Sequence, residues 1–356
     1  MIAHGELHDL LRTPNGGRVT TASAWRERRD EWLERAVDLV YGGMPPLPDR
    51  VEVRLRSQNR VQRLPGDPTL SVYRVRVHVG NGYLDVGLNL LTPGGTTVPA
   101  RRHPVVIDPD ACWWNLDDAS LTRMVEAGVA LARFDRTEVV PDSGAHGLGS
   151  PGRTGGLYDL LPEAGFGALA AWAWGVHRVV DALESLDEPG AKRGSDESRI
   201  DTRRVAVTGF SRGGKAALLA GATDQRIALV HAHASGAGGA APFLLEGEGA
   251  EGMRVVERFP GWFGASIAEY QGREAELPVD QHAVLAAVAP RPLLITCGSD
   301  DAWANPAGTS RAVEAARSVY DLLGEPDAVE FTVRPGGHHH GPEDWAALLA
   351  FIERRW

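Results

Sequence analysis

The sequence predicts an α/β fold, with a mostly parallel central sheet, an antiparallel start and helices on both faces. Three observations predict it. Three early segments alternate apolar and polar residues. Six later segments are short apolar runs with helical segments between them. A lone serine among glycines, in GFSRG, stands between one of those runs and a helix start.

In chain order, residues 22–41 put Trp25, Trp32, Leu33, Ala36, Val37 and Val40 at helical spacing, which reads as an amphipathic helix. VEVRLRS (51–57), SVYRVRVHV (71–79) and YLDVGLNLL (83–91) alternate, as half-buried antiparallel strands do. HPVVID (103–108), GVALARFD (128–135), RVAVTGF (204–210), IALVHAHA (227–234), RPLLITCG (291–298) and VEFTVRPG (329–336) are the apolar runs. Helices are expected at 117–127, 166–186, 213–222, 309–323 and 342–355. This alternation implies a parallel sheet covered on both faces. Two long irregular stretches, 137–161 and about 236–289, follow the C-terminal ends of parallel strands, where open α/β sheets bind ligands. The expected organisation is one domain over 1–356, with a helical extension over 1–50. The 236–289 insertion would form part of the pocket or a lid.

Composition narrows the function classes. The chain has 356 residues, is 43% hydrophobic and 24% charged, and carries a net charge of −10. No global basic field recruits nucleic acid or an anionic membrane. Arg101–Arg102 and Arg203–Arg204 read as solvated strand ends. The two cysteines, Cys112 and Cys297, read as reduced and buried rather than as a disulfide framework. No window approaches the ~18 apolar residues of a membrane span. The N-terminus, MIAHGELHDLLRT, lacks the charged and apolar regions of a secretory signal, so cytoplasmic residence is the expectation. No cofactor is implied, and the oligomeric state is open.

GFSRG fits G-x-S-x-G through Gly209, Ser211 and Gly213. It follows an apolar β-rich run and opens into GGKAALLAGA, a strong helix start, which is the setting of a nucleophile elbow. The turn is so tight that the residues two before and two after the serine must be small. The hydroxyl then projects at a helix N-terminus, where the dipole and free N–H groups favour a developing anion. On the α/β-hydrolase fold the acid and base follow in the order Ser, Asp or Glu, His. LLITCGSDDAWANP offers Asp301 as the acid, with Asp300 as the alternative. VEFTVRPGGHHHGPEDW offers His338, directly after Gly-Gly, as the base, with His340 as the rival. A run of three histidines also raises a metal site. No metal is expected, because no carboxylate or cysteine cluster accompanies the run. The oxyanion would meet the backbone N–H of Arg212 and a second donor near Asp110 and Ala111.

TGFSRGGKAAL, with SGAGGAAPF, LPVDQHAVLAAVAPRPLL and DAWANPAG, resembles the glucuronoyl esterases, the fifteenth carbohydrate esterase family, over about residues 100–356. The resemblance implies a serine carboxylic-ester hydrolase acting through an acyl-enzyme on a sugar ester, without a metal. It implies Ser211 as nucleophile, the Arg212 side chain on the oxyanion and Lys215 on sugar hydroxyls. Lys215 is one of only two lysines in the chain, the other being Lys192. Many members carry the triad acid as a glutamate just before the S-G-x-G-G segment. That position is Ala234 here, which directs the search to Asp301. Trp303, two residues past the acid, is a candidate substrate platform. Trp113, Trp114, Trp262 and Phe263 are further pocket candidates. Trp172 and Trp174 read as core, and His231, His233 and His282 as structural histidines. Two other readings remain open. One is an acyltransferase, lactonase or thioesterase on the same fold; the other is a non-catalytic binding protein.

Overall fold

The structure, a computed structural model, describes residues 5–94, 102–113, 116–142, 153–188, 199–244 and 247–356. Nine strands form one sheet: β1 (Arg50–Arg60), β2 (Thr69–Val79), β3 (Gly82–Thr92), β4 (Arg102–Asp108), β5 (Ala130–Phe134), β6 (Arg199–Val207), β7 (Leu229–His233), β8 (Leu293–Gly298) and β9 (Val329–Arg334). Their spatial order is β1-β2-β3-β5-β4-β6-β7-β8-β9. The first three strands pair antiparallel, as does β3 with β5, and every pair from β5 through β9 is parallel. This is the α/β-hydrolase arrangement that the alternation predicts. β1 runs further than its alternating core, into the polar Ser57–Arg60. An edge strand facing solvent tolerates those residues, and a register shift between Leu55 and Ser57 accommodates them.

The helices are α1 (Ala22–Ala36), α2 (Asp118–Glu126), α3 (Leu157–Leu160), α4 (Ala168–Asp187), α5 (Arg212–Thr223), α6 (Arg254–Arg258), α7 (His282–Val288), α8 (Pro306–Leu322) and α9 (Pro342–Arg355). Successive strand residues point to opposite faces. Val105, Ile107, Val205, Val207 and Ile295 therefore join α1, α4, α5, α7 and α8 in one apolar cluster. Val106, Ala206, Leu229 and Leu294 join α2 and α9 in another. All six apolar positions marked at 22–41 are buried, and the segment continues past α1 as a π-helical turn, Val37–Tyr41. Trp172 and Trp174 lie in the core on α4, their indole N–H groups donating to the carbonyls of Val140 and Pro46 at 3.0 and 2.8 Å. The insertion is more regular than its sequence suggests. It contains α6, three 3-10 turns and α7, whose seven residues are all buried. A short helix apolar all round shows no 3.6-residue period, so its sequence does not announce it. Both cysteines are free. No helix among the described residues is long and apolar enough to cross a membrane.

Four buried histidines and the half-buried His340 sit where the charged ring is penalised. Burial pulls His231 down to about 3 and His177 and His282 to about 4, and lowers His233 and His340. An unfolded chain protonates these rings near pH 6.5 while the folded chain does not. Below that pH the unfolded state binds more protons, so stability falls as pH falls. Asp110, Glu138, Glu251 and Asp280, raised by burial, act in the opposite sense but are outnumbered. The melting temperature, followed by circular dichroism, is expected to drop by roughly 5 °C or more from pH 7 to pH 5.

Candidate active site

β6 ends at Val207, and after four intervening residues α5 begins at Arg212. Between them Ser211 has φ 55° and ψ −120°, a left-handed backbone that a side chain rarely adopts. The neighbours hold it there. The Phe210 N–H donates to Asp110 Oδ2 at 2.8 Å, and the Ser211 N–H to the His233 carbonyl at 2.9 Å. A Cβ on Gly209 would lie 2.3 Å from the carbonyl oxygen of Gly213, and one on Gly213 would meet the Asp110 carboxylate at 2.2 Å. Both glycines of the motif are thus required by contact, as the sequence predicts.

The proposed acid and base reach the serine from the next strand ends. His338 Nε2 lies 3.0 Å from Ser211 Oγ, and His338 Nδ1 lies 2.7 Å from Asp301 Oδ2. Asp301 is buried, and its other oxygen accepts the Ala304 N–H at 3.1 Å. The β8 and β9 loops cross closely. A Cβ on Gly298 would fall 2.2 Å from the Gly336 carbonyl, and Gly336 itself has φ 101°. At this crossing the Ser299 and Asp300 N–H groups donate to the carbonyls of Arg334 and Gly336. The alternatives separate cleanly. Asp300 is exposed, whereas His340 is half-buried and turned away from the serine, its ring stacked on Trp345 at 4.9 Å. No glutamate follows β7. Ala234 stands there and packs with Cys297 and Ala304.

Beneath the histidine loop runs a chain of buried polar groups. Thr208 Oγ1 lies 2.8 Å from His231 Nδ1, and His231 Nε2 lies 2.8 Å from Thr296 Oγ1. Thr296 Oγ1 lies 2.7 Å from His233 Nδ1, and His233 Nε2 lies 2.7 Å from the His339 carbonyl. His231 and His233 are therefore structural, and so is His282, whose Nε2 donates to the His8 carbonyl at 3.1 Å.

The expected second backbone donor is corrected. The Asp110 N–H donates to Asp108 Oδ1 at 2.9 Å and the Ala111 N–H to the Phe134 carbonyl at 3.2 Å, so both are already engaged. Arg212 is better placed. Its backbone N–H opens α5, where N–H groups have no partner within the helix. Its side-chain Nε is buried with no acceptor among the described residues. Nη1 donates to Asp142 Oδ2 at 2.9 Å, and the guanidinium sits 4.5 Å from the ring centre of Trp262.

Lys215 also differs from expectation. It is 2% exposed, and its three ammonium hydrogens go to the carbonyls of Ser235 (2.6 Å) and Ala237 (2.7 Å) and to Glu251 (2.5 Å). Burial pulls the lysine down and pushes Glu251 up, each against the other's charge. With no hydrogen to spare, Lys215 fastens the insertion to α5. A bond to a substrate hydroxyl would require giving up one of these three. Trp303 is partly exposed beside this pair, its carbonyl accepting the Glu251 N–H at 3.0 Å and Arg258 lying 5.6 Å from its ring centre. Trp262 and Phe263 are core residues. Trp113 is half-buried, edge-on to Phe210. Trp114 lies outside the described residues. Carboxylates do approach the histidine run, contrary to the sequence reading: Glu343 and Asp344 lie near His339. They are engaged already, Glu343 with His339 at 2.8 Å and Asp344 with Arg334 at 2.7 Å.

Comparison with known proteins places the chain in a family. The family model described as "Glucuronyl esterase, fungi" matches residues 75–324. The chain is 32% identical to a 4-O-methyl-glucuronoyl methylesterase of Thermothelomyces thermophilus, over 94% of this chain and 76% of that one. A carbohydrate esterase family 15 glucuronoyl esterase from Caldicellulosiruptor kristjansonii superposes with a TM-score of 0.80 at 31% identity, covering 99% of this chain and 91% of that one. A glucuronoyl esterase mutant from Sporotrichum thermophile, solved in complex with methyl 4-O-methyl-beta-D-glucopyranuronate, gives 0.78 at 27% identity, covering 99% and 88%. A serine at the elbow, a histidine and an acid at the following strand ends, and a family match over most of its length make this chain a member of the glucuronoyl esterases, serine carboxylic-ester hydrolases of the α/β-hydrolase fold.

Proposed function

We propose that the chain hydrolyses esters of glucuronic acid, with Ser211 as nucleophile, His338 as general base and acid, and Asp301 as the group that orients His338. The observation that carries the reading is the continuous chain from Ser211 Oγ to His338 to Asp301, at 3.0 and 2.7 Å. His338 Nε2 takes the serine proton as Oγ attacks the ester carbonyl. Asp301 accepts the Nδ1–H, fixes the tautomer and stabilises the imidazolium that forms. Arg212 supplies its backbone N–H and its guanidinium to the tetrahedral oxyanion. The C–O bond to the alcohol then breaks, and His338 returns its proton to the departing oxygen. Water, deprotonated in turn by His338, attacks the acyl-enzyme; the bond to Ser211 Oγ breaks, His338 returns the proton to that oxygen, and the carboxylate is freed. The His338 side chain is 32% exposed, so water reaches the base. That exposure favours hydrolysis over transfer to another acceptor, which needs a dry acyl pocket. The substrate class rests on relatives named as glucuronoyl methylesterases and on the glucuronate ester bound in one of them. Trp303, half-exposed beside the Lys215–Glu251 pair, is the proposed platform for the sugar ring.

Two outcomes are expected. Asp301→Asn should lower kcat by roughly 10^3- to 10^4-fold through loss of the correct tautomer, while Asp300→Asn stays within about twofold of wild type. Similar losses in both variants would remove Asp301 from its role. Benzyl glucuronate should be turned over with a kcat/KM at least about 100-fold above that for 4-nitrophenyl acetate, because a site that hydrogen-bonds the sugar discriminates strongly against an ester without one. A preference for the acetate would refute the sugar acid and leave the ester chemistry standing.

A further inference from the structure

We propose that Asp142 is a positioning residue for the oxyanion arginine, and that it acts with the buried Arg136 as a clamp closing around the nucleophile from both sides. The proposal rests on the reading of Arg212 as an oxyanion donor. Asp142 Oδ2 accepts from Arg212 Nη1 at 2.9 Å and from Arg136 Nη2 at 3.3 Å. Its other oxygen accepts the Trp262 indole N–H at 3.1 Å. All these groups are shielded: the side chains of Arg136, Asp142 and Arg212 are 0%, 12% and 20% exposed. Arg136 continues the network by pairing with Asp110. Asp110 in turn receives the Phe210 N–H.

The path therefore runs from Phe210, just before the nucleophile, through Asp110, Arg136 and Asp142 to Arg212, just after it. Two guanidinium groups and two carboxylates balance in charge. Aromatic faces fix the planes of the guanidinium groups. Trp262 lies 4.5 Å from Arg212, and Trp113 and Trp172 lie 4.4 and 4.9 Å from Arg136. Trp262 does both jobs at once, stacking on Arg212 and bonding the carboxylate that aims it. One consequence concerns the donor set. Asp142 occupies Nη1, and Nε is left buried without an acceptor among the described residues. Asp142 thereby sets the plane of the group, and the guanidinium N–H groups it does not hold are the ones that would meet a developing oxyanion beside the elbow. Without the Asp142 carboxylate, Arg212 would face the like charge of Arg136 at low dielectric and turn toward solvent.

The test is a double-mutant cycle on the full chain with benzyl glucuronate, using Asp142→Asn, Arg212→Ala and the pair, with kcat and KM measured separately. Asp142→Asn preserves shape and removes the charge. It is expected to lower kcat by about 10- to 100-fold with KM within about threefold, as a misaimed group does. Arg212→Ala should lower kcat by roughly 10^2-fold or more. In the Arg212→Ala background, adding Asp142→Asn should cost no more than about twofold, since the two act as one unit. An equal cost in both backgrounds would overturn the proposal and leave Asp142 a merely structural residue. An unchanged kcat in Arg212→Ala would instead overturn the oxyanion reading on which it rests. Should Asp142→Asn fail to fold, Trp262→Phe keeps the ring under Arg212 and removes only the bond to Asp142. The same cycle then applies: a fall in kcat that vanishes in the Arg212→Ala background supports the clamp, and a fall that persists there overturns it.

Discussion

Ser211 holds its backbone at φ 55°, and much of the surrounding architecture serves to keep it there. A non-glycine residue in this region costs about 1–3 kcal/mol and persists only where its neighbours over-determine it. Here they do so from several directions. Asp110 grips the residue before, the His233 carbonyl grips the serine itself, and Gly209 and Gly213 let the two arms of the turn touch. α5, buried along nearly its whole length, cannot rotate to relieve the strain. The result is a hydroxyl projected from the sheet at the positive end of a helix, facing the loops of β8 and β9.

The second requirement is that these loops arrive in register. The polar chain under the site explains how. The His339 carbonyl can only accept, so His233 must carry its proton on Nε2. A neutral His233 then accepts at Nδ1, which obliges the Thr296 hydroxyl to donate to it. Thr296 in turn accepts from His231 Nε2–H, and Thr208 donates to His231 Nδ1. With both rings kept neutral by burial, only one order of protons satisfies every bond. The chain crosses from the end of β6, beside the elbow, through β7 and β8 to the loop that carries His338. Elbow and base are thereby tied through the interior and not only through the 3.0 Å contact between them.

Much of this was legible in the sequence, for a definite physical reason. Strand periodicity and the glycines of the elbow are local signals, and chain order places an acid and a histidine at the mouths of the last two strands. Ser211, Asp301 and His338 could therefore be read in line. Choosing Asp301 over Asp300 and His338 over His340 rested on one-residue steps that the glycine loops determine. What the sequence hid is pairing between distant segments. Lys215 looks like an available cation until Glu251, 36 residues on, is found against it. Asp142 looks like an ordinary polar residue in an irregular stretch until Arg136, Arg212 and Trp262 converge on it. The donors expected at Asp110 and Ala111 are spent on the Asp108 side chain and on the Phe134 carbonyl at the end of β5, which spacing alone does not reveal. Likewise α7 carries no period because every side is buried.

The central claim is that folding alone activates one serine. Intact-protein mass spectrometry after exposure to a fluorophosphonate, on wild type and on Ser211→Ala, tests it most directly. The account predicts a single adduct on wild type and none on the variant. No adduct on a folded wild-type chain, or an adduct that survives in Ser211→Ala, would contradict it.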